Sequence, residues 1–115
     1  MHTDNAMTVN KEQRGARRIN PAKPILVKNY VSGDPIGSIV NLSETGMMLT
    51  TRDDFRDHQV FQTRFWLDHN TEIMVGIENL WLDRQASGMV IAGFFIIDIS
   101  AEDLAKLKAF IDRHP

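Results

Sequence analysis

The chain has 115 residues, 43% of them hydrophobic, no cysteine and a formal net charge of -2. That length fits one domain with a real core and leaves no room for a second. Without cysteine there is neither a disulfide framework nor a thiolate metal site, so a reducing, cytoplasmic setting is expected; the longest apolar run, Met89 to Ile97, is too short for a bilayer-spanning helix, and the first ten residues lack the basic start and apolar segment of an export signal.

Charge is unevenly placed along the chain. Residues 11 to 28 carry six Lys or Arg against Glu12 alone, a net of +5, which leaves -7 for the rest. A basic segment on an acidic body lacks the broad cationic surface that coats DNA and suits a small anionic ligand or a local phosphate.

Residues 1–10 show no periodicity and are expected to be disordered, with a single domain over 11–115. From Lys11 to Lys23, Gly15 and Pro21 prevent a long helix and predict a charged, extended or turning segment. Ile25 to Tyr30 has a strand pattern, and Ser32-Gly33-Asp34-Pro35 has turn composition. A second strand is predicted from Gly37 to about Asn41, interrupted by Asn41-Leu42-Ser43-Glu44-Thr45-Gly46 and resumed by Met47 to Thr51. After the charged loop Asp53 to His58, residues Val60 to Leu67 alternate, with Phe61, Thr63, Phe65 and Leu67 on one face. Trp66 interrupts that pattern and is expected to cover a barrel end. Ile73, Val75 and Ile77 share a face of the next strand, which runs towards Trp81. A hairpin over Asp83 to Gly88 then leads to Met89–Ile97, whose continuous apolarity predicts burial on both sides.

Ser100 opens the one predicted helix, at about 101–113. Ser100-Ala-Glu-Asp103 has the form of a capping box, and Leu104, Leu107, Phe110 and Ile111 share one face. The pattern as a whole is mainly β: a small antiparallel β-barrel of about six strands with a C-terminal α-helix.

Catalytic chemistry finds little support. His2, His58, His69 and His114 are scattered, with no metal-ligand spacing, and no nucleophile elbow or Gly-rich phosphate loop occurs. The residues read as a binding module and not as an enzyme. Arg14 and Arg18 can each present a planar fork of donors that matches guanine O6 and N7 or a phosphate and can stack on a base. Asn41 and Ser43, two apart on a predicted strand, would send an amide and a hydroxyl to one side, beside a turn that Gly46 makes possible. Spacing assigns Arg17 no single role: it joins the site, replaces one of the spaced pair, or faces water.

In order and separation, Arg14-x-x-x-Arg18, a strand, Asn41-x-Ser43-x-x-Gly46, strands ending in Gly93-x-Phe95, and a terminal helix resemble the PilZ domain, a bacterial receptor for cyclic di-GMP. The resemblance covers about residues 11 to 113. It implies that cyclic di-GMP, singly or as a stacked pair, is clamped between the arginine loop at 11–23 and the barrel. By resemblance Arg14, Arg17 and Arg18 would meet guanine edges, bases or phosphates, Asn41 a guanine edge, and Ser43 a guanine or phosphate. Gly46 would hold the turn and Gly93 would keep a base path clear. The implied output is a conformational signal to an effector protein in motility, biofilm or exopolysaccharide control, with a homodimer left open, no membrane insertion and no metal. The alternative is a module of the same fold that mediates protein contacts without a ligand. A DNA- or RNA-binding barrel is disfavoured because Phe61, Phe65, Trp66, Trp81, Phe94 and Phe95 fall in core-like patterns, whereas such proteins expose aromatics among basic residues.

Overall fold

The computed structural model describes residues 16–115; the expectations for the disordered start and for Arg14 lie outside those residues. Six strands follow in chain order: β1 (Ile25–Asn29), β2 (Pro35–Leu42), β3 (Gly46–Thr51), β4 (Val60–Asp68), β5 (Thr71–Arg84) and β6 (Val90–Ile99), before one helix, α1 (Ala101–Arg113). They close into a barrel in the order β1-β2-β3-β6-β5-β4. Every neighbouring pair is antiparallel. Closure pairs both sides of every strand and removes the exposed edges that invite aggregation.

Side-chain alternation fills the barrel. On β4, Thr63, Phe65 and Leu67 point in and are buried, while Gln62, Arg64, Trp66 and Asp68 point out. Trp66 therefore does not cover a barrel end. It keeps its place in the alternation on the outer wall and is 49% exposed. Ile39, Leu42, Leu49, Ile73, Ile77 and Phe94 complete the interior. Phe55, from the loop before β4, packs edge-on against Phe61 and Phe94.

The expectation for β6 holds over half its length. From Val90 to Phe94 the strand is largely buried, but Phe95 and Ile97 are exposed. The helix packs against β5, so no second layer covers the far end of β6. Trp81 is also exposed. A register shift in β5 between Asn79 and Trp81 breaks the alternation there. The core-like reading of Trp66, Trp81 and Phe95 is corrected, since all three are exposed.

The helix begins as its sequence indicates, with the Ser100 hydroxyl accepting the Asp103 N–H at 3.0 Å. The reciprocal half of the capping box is replaced by a tertiary contact. The Asp103 carboxylate accepts the Met74 N–H at 3.0 Å and lies 3.4 Å from Lys106 Nζ, which ties the first turn of α1 to β5. Leu107 and Ile111 then bury against the barrel interior. Among the described residues no helix is long and apolar enough to cross a membrane.

Candidate functional site

The site begins with a turn. Residues Ser43 to Gly46 join β2 to β3, and the Ser43 N–H donates to the Gly46 carbonyl at 2.9 Å. The Ser43 hydroxyl accepts the N–H groups of Thr45 at 3.2 Å and Gly46 at 3.1 Å. It also lies 3.2 Å from Thr45 Oγ1 and 3.3 Å from the Gly46 carbonyl. Ser43 is 1% exposed, so its hydrogen-bonding capacity is spent inside the turn. The expected convergence of Asn41 and Ser43 on one small area does not occur. β2 carries a register shift between Ile39 and Asn41 and ends at Leu42, so the period-two rule no longer applies at Ser43.

Gly46 is required by proximity, since a Cβ there would lie 2.6 Å from the Phe94 carbonyl oxygen across the β3–β6 ladder. Gly93 is required by an aromatic ring. A Cβ on Gly93 would lie 2.2 Å from Trp81 Nε1 and 2.4 Å from Cε2, so the indole rests directly on the glycine backbone. The buried Asn79 holds this arrangement: its Nδ2 donates to the Trp81 carbonyl at 3.1 Å and to the Gly93 carbonyl at 3.2 Å. Asn79 Oδ1 has no hydrogen-bond partner among the described residues.

A short segment then crosses the barrel wall. Ile19 is buried and exchanges two backbone hydrogen bonds with Leu42, both at 2.9 Å. Beside them Asn41 Nδ2 donates to Asn20 Oδ1 at 3.0 Å. Arg17 and Arg18 are thereby fixed above the end of the Asn41–Gly46 motif.

Between this segment and the barrel lies a cavity of about 870 Å³, walled by Arg17, Arg18, Asn41, Gly46, Trp81 and Phe95 among others, with Gly93 also on its surface. Its volume falls in the range of small-molecule and cofactor sites, roughly 300–1,000 Å³. Arg18 is exposed, and no carboxylate among the described residues pairs with it. Arg17 lines the rim, but its guanidinium turns to the end of α1, donating from Nη1 to the Ile111 carbonyl at 2.7 Å and from Nη2 to the His114 carbonyl. Of the seven residues singled out from sequence, Arg17, Arg18, Asn41, Gly46 and Gly93 meet at this cavity, Ser43 lies beneath it, and Arg14 precedes the described residues.

Periodicity missed Trp81 and Phe95, the two aromatic walls. The signal available was Gly93 itself: a glycine inside an apolar strand marks a place where something approaches the backbone closely. Chemically, the cavity joins cationic donors, amide groups and exposed π-faces, a combination that holds a planar, polar, anionic molecule. Among the described residues no group of three or more His, Cys, Asp or Glu is arranged to hold a metal ion.

Comparison with known proteins agrees with this architecture. No curated protein matches the chain. The Bacillus subtilis inhibitor of motility MotI/DgrA superposes with a TM-score of 0.74 at 15% identity, over 88% of this chain and 50% of that one. The PilZ domain of Escherichia coli YcgR, solved with c-di-GMP, gives 0.67 at 13% identity over 84% of this chain and 87% of the other. A K. pneumonia MrkH-c-di-GMP complex gives 0.69 at 10% identity, over 84% and 49%. The chain thus spans about half the length of MotI and MrkH and most of the isolated YcgR domain. At these identities the superpositions establish shared fold, and the family assignment comes from the sequence: residues 12–113 match the PilZ domain, and the chain belongs to that family.

Proposed function

We propose that this chain is a cyclic di-GMP receptor whose ligand lies in the cavity between the arginine segment and the barrel. The observation that carries the reading is the meeting of Arg18, Asn41, Gly46 and Gly93 with Trp81 and Phe95 around one cavity of about 870 Å³. Cyclic di-GMP combines guanine edges, flat purine faces and two phosphate charges. Arg18 offers a bidentate fork to a guanine edge or a charge-assisted pair to a phosphate. The Trp81 and Phe95 rings offer stacking surfaces, and the Asn41 amide offers a donor and an acceptor at the rim. Arg14, four residues before Arg18, is assigned to the same ligand. Ser43 serves indirectly, by fixing the turn that sets the position of the cavity wall.

Magnitudes require these groups to act together. Micromolar binding corresponds to about 8 kcal/mol, a good bidentate arginine–guanine pair gives roughly 1–3 kcal/mol, and one base stacked on an aromatic gives about 1–3 kcal/mol. Ligand binding then changes the conformation and charge of the arginine segment around Arg18, beside the anchor of Ile19 on Leu42, and an effector protein reads the liganded form. Motility is the process named for the MotI neighbour, and biofilm or exopolysaccharide control would use the same output.

Calorimetry on purified protein tests the site. Arg18→Ala and Arg14→Ala should each lower cyclic di-GMP affinity by at least about tenfold, as expected for a lost bidentate pair, with the melting temperature unchanged. Unaltered affinity in both would remove the arginines from the site. Competition with GTP and single-stranded RNA addresses a second reading, favoured by the exposure of Trp66, Trp81 and Phe95. Displacement by RNA at lower concentration than by cyclic di-GMP would reassign the cavity to single-stranded nucleic acid.

A further inference from the structure

Arg17 and Arg18 are neighbours in sequence and face different parts of the molecule. Ile19 fixes their direction, because its bridge to Leu42 holds the segment against β2 and its side chain is buried with Leu107 and Ile111 in one apolar cluster. In extended chain successive side chains alternate. Arg17 therefore falls on the side of Ile19 and the helix, and Arg18 on the other. The contacts agree: Arg17 Nη1 donates to the Ile111 carbonyl at 2.7 Å, and Nη2 donates to the carbonyls of His114 and, at 3.3 Å, of Pro115.

We infer that Arg17 is a positioning residue that ties the arginine segment to the C-terminal end of α1, so that order at the helix end and affinity for a ligand at Arg18 are coupled. The carbonyls that end a helix have no partner within it and carry the negative end of its dipole, and a guanidinium satisfies both deficits. The His114 N–H also donates to the Ile111 carbonyl, at 3.1 Å, and the Phe110 and His114 rings pack at 4.6 Å, so the chain leaving α1 is held in one course. Arg17 adds the only side-chain hydrogen bonds among the described residues between this end and the segment that carries Arg18. When Arg18 engages a ligand, Arg17 keeps its carbonyls and limits the freedom that the segment must lose. By thermodynamic reciprocity, an occupied cavity then stabilises the last turn of α1. The ligand half of this inference rests on the cyclic di-GMP reading, whereas the link to the helix does not.

A double-mutant cycle separates the two halves. Cyclic di-GMP affinity is measured by calorimetry for the natural chain, for Arg17→Ala, for a chain ending at Arg113, and for both changes together. Hydrogen exchange of the last turn of α1 is followed in the natural chain and in Arg17→Ala, without ligand. Arg17→Ala should weaken binding by about 5- to 10-fold, the lower part of the usual range for coupled sites, and the chain ending at Arg113 should weaken it less, because the Ile111 carbonyl remains. The combined change should weaken it no further than Arg17→Ala alone, because without Arg17 the carbonyls lost by truncation hold nothing. Arg17→Ala should also speed exchange of the last turn. Additive losses, or a loss of affinity in Arg17→Ala with exchange of the last turn unchanged, would mean that Arg17 acts on the ligand and not through the helix end and would overturn the coupling. If the natural chain binds no cyclic di-GMP, that ligand assignment fails, and the link is judged by exchange alone: unchanged protection in Arg17→Ala overturns it.

Discussion

The two halves of the cavity are held in different ways. The wall formed by Ser43–Gly46, Gly93 and Trp81 is fixed locally and by contact: the Ser43 hydroxyl and the Thr45 and Gly46 N–H groups of one turn satisfy one another, and two glycines sit where no side chain fits. The arginine segment is fixed by a few long-range bonds, from Ile19 to Leu42, Asn20 to Asn41 and Arg17 to the end of α1. Changes in the wall should therefore register first as lost stability, and changes in the segment as lost affinity. The first kind of residue shapes the cavity, and in the proposed function the second engages the ligand.

The sharpest way to break this comparison is to push on the wall. Gly46→Val introduces a Cβ 2.6 Å from the Phe94 carbonyl, and because that contact is with backbone, relief requires β3 and β6 to separate. Overpacking of this kind costs about 1–3 kcal/mol or somewhat more, which in a domain of this size lowers the melting temperature by about 4–8 °C per kcal/mol. Thermal melting followed by circular dichroism should show the drop, and calorimetry should show ligand binding lost with it. A variant that melts like the natural protein but binds nothing would place Gly46 with the ligand-engaging residues instead.

Ser43→Ala should have a smaller effect, and it tests the same division where sequence and structure differ most. The substitution leaves the Thr45 and Gly46 N–H groups in a nearly closed turn without their acceptor, a loss of about 1–3 kcal/mol with no change in volume that would disturb the wall. Urea unfolding should register that loss while cyclic di-GMP affinity stays within about threefold of the natural value, since 1.4 kcal/mol is a full factor of ten and no direct contact is removed. The opposite pattern, full stability with affinity reduced more than tenfold, would make the Ser43 hydroxyl a ligand contact and require the turn to open.

These residues also mark how far the sequence could be read. The strands and their alternation follow from side-chain chemistry at period two, and β4 obeys it from Gln62 to Asp68. Ser100 and the apolar face of Leu107 and Ile111 identify α1 just as directly. What periodicity does not carry is a break in itself. The register shifts at Ile39–Asn41 and Asn79–Trp81 move Ser43 inward and Trp81 outward, and both are set by pairing with the next strand, which a strand's own periodicity does not specify. The role of Arg17 was equally hidden, because its partners are backbone carbonyls more than ninety positions away and carbonyls have no sequence signature. The motif spacing picked out five residues that line one cavity, whereas the assignment of each to wall or segment required the register.

The smallest expected effect comes from a turn that uses the same device in water. Asp68 ends β4 and its Oδ1 accepts the Asn70 N–H at 2.9 Å, as the Ser43 hydroxyl accepts its turn's N–H groups, but Asp68 is exposed. The Asn70 hydrogen bond first, and then one from Thr71, hold the Asp68 carboxyl below its ordinary value, with Arg113 and His69 adding to the shift. With a carboxyl depressed by folding, stability rises with pH wherever the unfolded chain binds more protons, so the contribution is complete above the usual carboxylate range and disappears as pH falls through the lower folded-state value. Asp68→Asn keeps an acceptor oxygen and removes the charge. Urea unfolding of the two proteins should differ slightly at pH 7, with the natural chain more stable, and the difference should close on acidification through the carboxylate range around pH 4. Added salt should shrink the part due to Arg113 and His69, because exposed charges are screened. A difference as large as that of Ser43→Ala, or one that grows on acidification, would show that burial is not what separates the turn that builds the cavity wall from a turn that merely ends a hairpin.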